Sequence, residues 1–550
     1  MSIIVIKGNL VDALARNMQP VEIQLQDGKI SAIVSLDGPV PDPSLPFILP
    51  GFIDAHVHIE SSMLIPSAFA ALAVNHGTVA TVSDPHEIAN VCGMEGVKFM
   101  IENGRQVPFK FYFGAPSCVP ATTFETAGDA LDAQQVKSLL ELDEVKYLSE
   151  MMNFPGAIAG DPEVMAKIDA AKTLGKPVDG HAPGLVGEAL KRYVNRGIST
   201  DHECFTLEEA LEKISLGMKI IIREGSAAKN FDALHPLIDM YPEMIMFCSD
   251  DKHPDSLIAG HINQLCARAV AAGHDVFHVI RAACINPVHH YKLDVGLLQI
   301  GDAADLILVD NLRDFNVQAT FIEGQKVSEK GVSLIDTSAI QVEAINRFGI
   351  TEIEEADLML PASGVYSHPV IGCKDGQLIT DKLTLSPTKK EGTWQSDTEN
   401  DVLKMVVVNR YHQAPVAIAF VHAFGLQSGA IASSVAHDSH NIVAIGVDDE
   451  SLCKAINLVI KAKGGVSCVG SNREHVLPLS IGGLMSADDG FKVAEAYTAI
   501  DFAAKALGST LSAPFMSLSF MALLVIPHVK LSDKGLFDGD HFSFYQPLHN

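Results

Sequence analysis

The stretch GFIDAHVHIESSM, residues 51–63, marks the point at which the character of the sequence changes. Before it, short apolar runs separated by Asp-Gly pairs predict a small β module with hairpin turns. From Pro50 to about Pro287, β-like apolar runs alternate with helix-like stretches, and this alternation predicts a parallel sheet covered by helices. The alternating span, roughly 240 residues, is close to the size of a (β/α)8 barrel.

The sequence also predicts a domain on each side of the barrel. Residues 1–50 and 291–335 both contain short strands with Gly-containing turns, so we expect them to pair as a split β-sandwich module. The barrel, residues 51–290, is then inserted between the two halves. Residues 340–550 are long enough for a core of their own and predict a C-terminal α/β domain. The predicted fold class is therefore α/β, with a TIM-like barrel at its centre.

The composition describes a globular protein and excludes several classes of partner. A hydrophobic fraction of 47% with 19% charged residues is typical of packed cores, not of disordered chains. The formal net charge of -27 argues against nucleic acid and against anionic membrane surfaces. Nine scattered cysteines without a CxxC pair, no secretory leader and no apolar segment long enough to span a bilayer predict a cytoplasmic protein.

Residues that can bind metals stand at the ends of seven apolar runs. His56 and His58 share one face of a strand, because side chains two residues apart in a strand point the same way. In a (β/α)8 barrel the C-terminal ends of the strands meet at one mouth. A single His or Asp there is more often a helix cap, but seven similar endings favour a shared site. The residues at these ends are His56, His58, Asp84, His86, Glu87, Glu150, Asp179, His181, Asp201, His202, Glu203, Arg223, Glu224 and Asp250.

The order of these residues resembles the amidohydrolase superfamily, whose metal centre uses H-x-H, an acidic residue, His, His and Asp in that chain order. More narrowly, nearly the whole chain resembles the adenine deaminase family of bacteria. The motifs that carry the resemblance are GFIDAHVHIESSM, SDPHEIANVCG, EMMNFPG, DGHAPGL, TDHE, IREGSAAKN and CSDDKHP in the barrel, and ASSVAHDSHNIVAIG in the C-terminal domain.

The resemblance implies a metal-dependent hydrolase barrel that holds two divalent ions. Mn or Fe is expected and Zn is a further option, because a mixed nitrogen and oxygen site admits several metals. A carboxylate has two oxygens and can join two cations, which suits the acidic ligand to a bridging place. The implied ligands are His56 and His58 for the more buried ion, His181 and His202 for the second, Glu150 as the bridge, and Asp250 beside the first.

The resemblance further implies hydrolysis of adenine to hypoxanthine and ammonia, with a metal-activated hydroxide attacking C6. Asp250 would act as the general base and then as the acid. Asp250 is preferred to Asp251 because the strand MIMFC leads directly to it, so we expect Asp251 to turn outward or to cap the next helix. The resemblance implies that adenine is the small-molecule partner and that the enzyme serves purine salvage. It also implies a homo-oligomer, most simply a dimer.

Two further groups of side chains are candidates for contact with the substrate. The candidates for ring contact or proton delivery are Asp84, His86 and Glu87. The candidates for lining the mouth are Arg223, Glu224 and Ser226. A capping cluster at a βα turn explains the first group equally well, and a structural ion pair between Arg223 and Glu224 explains the second.

The run SSVAHDSHN in the C-terminal domain contains His437, Asp438 and His440 at a spacing typical of metal ligands. Closing over the barrel mouth, binding an extra ion and stabilising a domain contact are three roles that the sequence does not rank. Six other histidines lie in helix-like or loop stretches, where surface or packing roles are commoner. These are His253, His261, His274, His278, His289 and His290.

Three other functions compete with the hypothesis of an adenine deaminase. A zinc deaminase of the cytidine type requires P-C-x-x-C, which the chain lacks. A cyclic-amide hydrolase of the dihydroorotase or hydantoinase type uses the same barrel, but most such relatives carry a bridging lysine where this chain has Glu150. A non-catalytic purine-binding scaffold is the third alternative, because a fold alone never guarantees activity.

Overall fold

Eight short parallel strands form the centre of the molecule in the computed structural model, which describes residues 3–362, 364–471 and 473–546. The first five pair in chain order, and the last three form a second ladder. Bridges between Val178 and Ile198 and between Val57 and Asp250 join the two ladders, so the sheet closes on itself. The strands are Phe52–Val57, Thr78–Ser83, Lys110–Ala115, Val145–Met151, Val178–Gly180, Thr200–Asp201, Lys219–Arg223 and Ile245–Cys248.

The predicted (β/α)8 barrel is confirmed, and the sequence of its strands explains it. Phe52–Val57 and Thr78–Ser83 are buried at every position, because side chains fill the barrel interior while helices cover the outside. The helices around and below the strands are Pro66–Ala73, His86–Gly104, Ala133–Leu140, Phe154–Ala159, Pro162–Thr173, Gly187–Asn195, Leu207–Ser215, Phe231–Leu234, Leu237–Met240, Pro254–Ala259, Ile262–Ala271, Val276–Ile280 and Asn286–Tyr291.

Strands from both sides of the barrel segment share one eight-stranded sheet. Phe47–Pro50, which leads into the barrel, pairs in parallel with Ile4–Asp12 and antiparallel with Leu306–Val309. Apolar side chains of both halves, such as Val21 and Phe321, fill a common core. The order along the sheet is Val332–Ser333, Gln325–Glu329, Val317–Ile322, Leu306–Val309, Phe47–Pro50, Ile4–Asp12, Asn17–Gln26 and Lys29–Ser35.

The C-terminal domain is built on a second eight-stranded, mostly antiparallel sheet. Helix Asp449–Lys461 begins where the Asp448 side chain accepts a hydrogen bond from the Ser451 N–H, and acidic residues in its first turn suit the helix dipole. Its apolar face, including Ile456, packs on the sheet. The sheet order is Asp381–Leu383, Val370–Gly372, Ala417–His422, Val402–Val408, Ile442–Gly446, Ala430–Ser433, Gly465–Val469 and Glu474–Pro478.

Smaller elements complete the C-terminal domain and seat it on the barrel. Ser486 pairs with the segment after the first barrel strand, where its N–H donates to the Met63 carbonyl at 2.8 Å. Helix Gly490–Ala506 packs against Pro254–Ala259 and Pro66–Ala73 of the barrel. The remaining elements are Glu355–Leu358, Thr388–Lys390, Thr393–Gln395, Pro514–Phe520, Val529–Ser532, Gly535–Asp538 and Ser543–Phe544.

Two features of the sequence have simple structural counterparts. All nine cysteines are buried free thiols. Within the described ranges, no helix combines the length and the apolar character needed to cross a membrane.

Candidate active site

The six predicted metal ligands come together at the C-terminal ends of the barrel strands, and each is 5% exposed or less. His56 and His58 stand side by side on the first strand, as the H-x-H spacing predicts, with their Nε2 atoms 3.2 Å apart. Asp250 Oδ1 follows the eighth strand and lies 3.3 Å from His58 Nε2 and 3.6 Å from His56 Nε2. The first and last strands are neighbours in a closed barrel, which explains this proximity.

Glu150 lies between the two pairs of histidines. Its Oε1 is 3.3 Å from His58 Nε2, and its Oε2 is 2.7 Å from His181 Nδ1 and 3.2 Å from His202 Nε2. Burial by itself raises the pKa of the Glu150 carboxyl, but the imidazoles of His181 and His202 hold that pKa well below its usual range. One carboxylate oxygen therefore faces each histidine pair.

This donor set fits a pair of divalent cations. His56 Nε2 and His58 Nε2 lie 3.2 Å apart and both face Asp250 Oδ1, and a cation between them would be bound by both nitrogens and by the carboxylate. Three groups, His56 with His58 and Asp250, His56 with Glu150 and His202, and His181 with His202 and Glu203, each bring their donor atoms within 4.8 Å of one another. Imidazole and carboxylate ligands of this kind suit Zn, Mn or Fe.

Arg223 supports this cluster from below and connects it to Glu203. Its Nη1 donates to Asp250 Oδ2 at 2.7 Å, and its Nη2 donates to Glu203 Oε2 at 2.7 Å. Burial raises the pKa of the Asp250 carboxyl, but the Arg223 guanidinium and the imidazoles of His56 and His58 together outweigh burial and hold that pKa well below its usual range. The strand-end pattern in the sequence includes Glu203 but does not indicate a role for it.

Glu224 and Ser226 lie away from the cluster formed by the six predicted metal ligands. Glu224 pairs with Arg268 Nη1 at 2.7 Å, so the suggested ion pair between Arg223 and Glu224 does not form. Ser226 Oγ donates to Ser256 Oγ at 3.0 Å. Both residues line a separate cavity of about 250 Å³. Of the three candidates for lining the mouth, only Arg223 reaches the cluster, because adjacent residues of a strand point to opposite sides.

Asp84 and His86 form the wall next to Glu150. Asp84 Oδ1 accepts a hydrogen bond from the His86 N–H at 3.1 Å, where helix His86–Gly104 begins. The same residues also face the cluster, with His86 Nδ1 lying 3.5 Å from Glu150 Oε1 and 3.1 Å from Asp84 Oδ2. Capping and site contact, the two interpretations of this motif, are therefore both compatible with its position.

Glu87 faces the C-terminal domain. Its two carboxylate oxygens are hydrogen bonded to His437 Nδ1 and to His440 Nε2. Asp438 Oδ1 lies 3.2 Å from His86 Nε2. We call the residues 436–440, together with Glu87, the roof of the site, and the six predicted ligands its floor. The sequence singled out this H-D-x-H run but did not indicate which part of the barrel it meets.

Asp251 belongs to the roof side and does not turn outward. It is 6% exposed, accepts a hydrogen bond from Ser61 Oγ at 2.6 Å, and lies 3.5 Å from His437 Nε2. The prediction that Asp251 turns outward or caps the next helix is therefore wrong. The strand ends at Cys248, and both following aspartates are buried at the mouth, Asp250 among residues of the barrel and Asp251 beside His437 of the C-terminal domain.

The closed barrel with four histidines and two carboxylates at its mouth defines a metal-dependent hydrolase of the amidohydrolase type. The model of the amidohydrolase family matches residues 47–327, and that of the adenine deaminase C-terminal domain matches residues 377–543. The adenine deaminase of Salinibacter ruber is 54% identical and that of Sulfurovum sp. is 53% identical, each over 98% of both chains. This chain belongs to the amidohydrolase family and, within it, to the adenine deaminases.

A solved structure gives a more distant likeness. The β-aspartyl dipeptidase of Fervidobacterium islandicum AW-1 aligns with a TM-score of 0.47 and 18% identity, over 60% of this chain and 98% of that chain.

Proposed function

We propose that this chain hydrolyses adenine to hypoxanthine and ammonia. The observation that carries the proposal is the 54% identity over 98% of both chains to a relative named adenine deaminase. The buried floor of four histidines and two carboxylates supports a hydrolytic reaction. Water adds at C6 of the purine, and the exocyclic amino group leaves as ammonia.

The floor residues would hold two divalent ions, with Glu150 between them. When bound, the ions would lower the pKa of a water molecule, so that hydroxide is supplied near neutral pH. The proposed ligands are His56, His58, Glu150, His181, His202 and Asp250. Mn or Fe is the proposed native metal, with Zn as a further option.

Asp250 would take the proton of the attacking water and return it to the departing amino group. Its Oδ1 faces His56 and His58, while its Oδ2 accepts from Arg223 at 2.7 Å. This hydrogen bond fixes the carboxylate, so that Oδ1 stays directed at the reacting atoms. Arg223 is in turn fixed by Glu203.

Asp84, His86 and Glu87 are proposed to contact the purine ring. Addition of hydroxide at C6 places negative charge on the ring nitrogens, and a donor next to the ring would stabilise that charge. The proposal is supported by the position of His86, which lies 3.5 Å from Glu150 Oε1 and whose ring centroid is 4.6 Å from that of His58, two of the proposed metal ligands.

The decisive experiment incubates the metal-loaded protein with adenine, adenosine, dihydroorotate and hydantoin. We expect ammonia and hypoxanthine from adenine in equal amounts, and no product from the other three compounds. Turnover of dihydroorotate or hydantoin would favour a cyclic-amide hydrolase. The absence of turnover together with the absence of tightly held metal would favour a purine-binding scaffold.

The finer proposals concern setting and assembly. We propose a cytoplasmic enzyme of purine salvage that works as a homodimer. Fractionation of the native cells and light scattering of the purified protein test location and assembly, and metal analysis of the protein purified without added metal tests the choice of Mn or Fe.

A further inference from the structure

The roof joins two domains that are far apart in the sequence. Glu87 is separated from His437 by 350 residues and from His440 by 353 residues, yet both imidazoles are hydrogen bonded to its carboxylate. His437, Asp438 and His440 are each 3% exposed or less. A contact that served only to hold two domains together needs no buried ionisable groups, because apolar packing does so at lower cost.

We propose that the C-terminal domain is part of the active site, with Asp438 contacting the substrate base and His440 positioning Glu87. This inference rests on the proposed function. It gives the C-terminal domain a role in recognising a planar base that offers ring or amino N–H donors.

A hydrogen bond from the local backbone determines which ring nitrogen of His440 carries the proton that is directed at Glu87. The N–H of Ala436 donates to His440 Nδ1 at 3.2 Å, so Nδ1 acts as an acceptor. In a neutral imidazole the proton is then on Nε2, which is the atom directed at Glu87 Oε2. His440 is itself held by its own N–H, which donates to the Ala436 carbonyl at 2.8 Å. His440 is therefore built to fix the Glu87 carboxylate in one orientation.

Asp438 has one oxygen engaged and one free. Its Oδ1 lies 3.2 Å from His86 Nε2, whereas Oδ2 is buried and has no hydrogen-bond partner among residues 3–362, 364–471 and 473–546. A buried carboxylate oxygen without a donor costs free energy. A bound base with an N–H group would satisfy it. Because His86 also lies beside Glu150, a base held between Asp438 and the floor would have its reacting carbon near the metal-type cluster.

The first test is a double-mutant cycle between His440 and Glu87, with adenine as substrate. We expect His440→Ala to lower kcat about 10- to 100-fold with KM changed by less than about threefold, in the range seen when a supporting hydrogen bond is removed. His440→Gln, whose amide N–H can donate to Glu87, should recover at least about half of the logarithmic loss. In a Glu87→Gln background, His440→Ala should have no further effect.

An equal loss from His440→Ala with and without Glu87→Gln would overturn the positioning role. His475→Gln in the same domain is the matched control, because His475 lies on the strand Glu474–Pro478, away from the roof. Its kinetics should match the wild type. Metal content and thermal unfolding are measured for every variant, and a His440→Ala protein that fails to fold is replaced by the His440→Gln and His440→Asn pair in the same cycle.

The second test measures adenine binding by calorimetry in an Asp250→Ala background, so that hydrolysis does not contribute to the measured heat. We expect Asp438→Asn to weaken binding at least about tenfold, because the amide removes the charged acceptor from the proposed N–H contact. Unchanged binding, with Asp438→Ser also unchanged, would overturn the role of Asp438. A wild-type protein that binds adenine without releasing ammonia would contradict the proposed function, while the effect of Asp438→Asn on binding would still decide this inference.

Discussion

The floor and the roof of the mouth are two histidine–carboxylate clusters that face each other, and they are built in different ways. The floor collects its residues from the ends of barrel strands within one domain, and Glu150 joins its two histidine pairs through separate oxygens. The roof takes Glu87 from the barrel and His437 and His440 from a turn of the C-terminal domain. The floor groups its histidines and carboxylates within one domain, whereas in the roof the Glu87 carboxylate of the barrel is hydrogen bonded to two imidazoles of the C-terminal domain.

Closure of the barrel creates one part of the site, and the contact with the C-terminal domain completes it. A closed barrel brings strand ends together whatever the loops contain, so the floor depends on the barrel alone. The roof forms only when the C-terminal domain packs on the barrel. Ser486 and helix Gly490–Ala506 make part of that contact. Variants of the two clusters should therefore have different effects. Substitutions in the floor should release metal, whereas substitutions in the roof should lower activity without loss of metal.

Glu150→Gln should have the largest effect. The amide cannot supply two anionic oxygens to two cations, so we expect less than half of the wild-type metal content and a fall in kcat/KM of about 10⁴-fold or more. Metal analysis and ammonia release measure the two quantities. Glu188→Gln, on the exposed Glu188–Lys191 pair, is the matched control. Full metal content in Glu150→Gln would remove the bridging role.

Asp250→Ala and Asp251→Ala separate the floor from the roof at two adjacent positions. Asp250→Ala should lower kcat about 10³-fold or more, because it removes the proposed proton acceptor. Asp251→Ala should lower kcat about tenfold, because Asp251 is not a proposed ligand and acts through its contacts with Ser61 and His437. Steady-state kinetics on both variants is the measurement, and equal losses would contradict the assignment of Asp250.

Glu87→Gln should lower kcat by an intermediate amount and, unlike Glu150→Gln, should leave the metal content unchanged. We expect kcat to fall about 10²-fold, in the range for loss of a positioned acid–base group, while the metal content stays at the wild-type level. Glu87 lies on the roof side of His86, bonded to the C-terminal domain. Loss of metal from Glu87→Gln would mean that the two clusters are a single ligand set.

The floor could be predicted from the sequence, because strand alternation and barrel closure are local and general rules. The same alternation, applied strictly, excludes Arg223 and Glu224 from one site, since adjacent strand residues point to opposite sides. Arg223 turns inward to Glu203 and Asp250, and Glu224 turns outward to Arg268. The prediction that both residues line the mouth did not take this alternation into account.

The roof could not be predicted, because it depends on where one domain rests on another. The run SSVAHDSHN shows ligand-type spacing, but no periodicity relates residue 437 to residue 87. The position of Asp251 was missed for the same reason, because Asp251 is buried beside His437 of the C-terminal domain, and the sequence gives no sign of that contact. Contacts between domains are long-range in sequence and carry no local signal.

The smallest effects concern pH and stability, and they differ in sign for two histidines at the same domain contact. Burial lowers the pKa of His253, which lies 2.6 Å from the Tyr497 hydroxyl, to about 3. Below the ordinary pKa of about 6.5, the unfolded chain binds a proton that the folded chain does not. Stability therefore falls as the pH drops below that value, by about 1.4 kcal/mol per pH unit.

His437 on the roof has the opposite effect. Burial alone lowers its pKa, but the carboxylates of Asp251 and Glu87 raise it to about 9. The stability it contributes is fully present below the unfolded pKa of about 6.5 and is lost as the pH rises through the folded value. Thermal unfolding from pH 5 to pH 10 should show that His253→Gln flattens the acid side of the stability profile and His437→Gln the alkaline side. Because the two residues belong to one domain contact, a shared change in both variants would instead mean that loosening of that contact controls the profile.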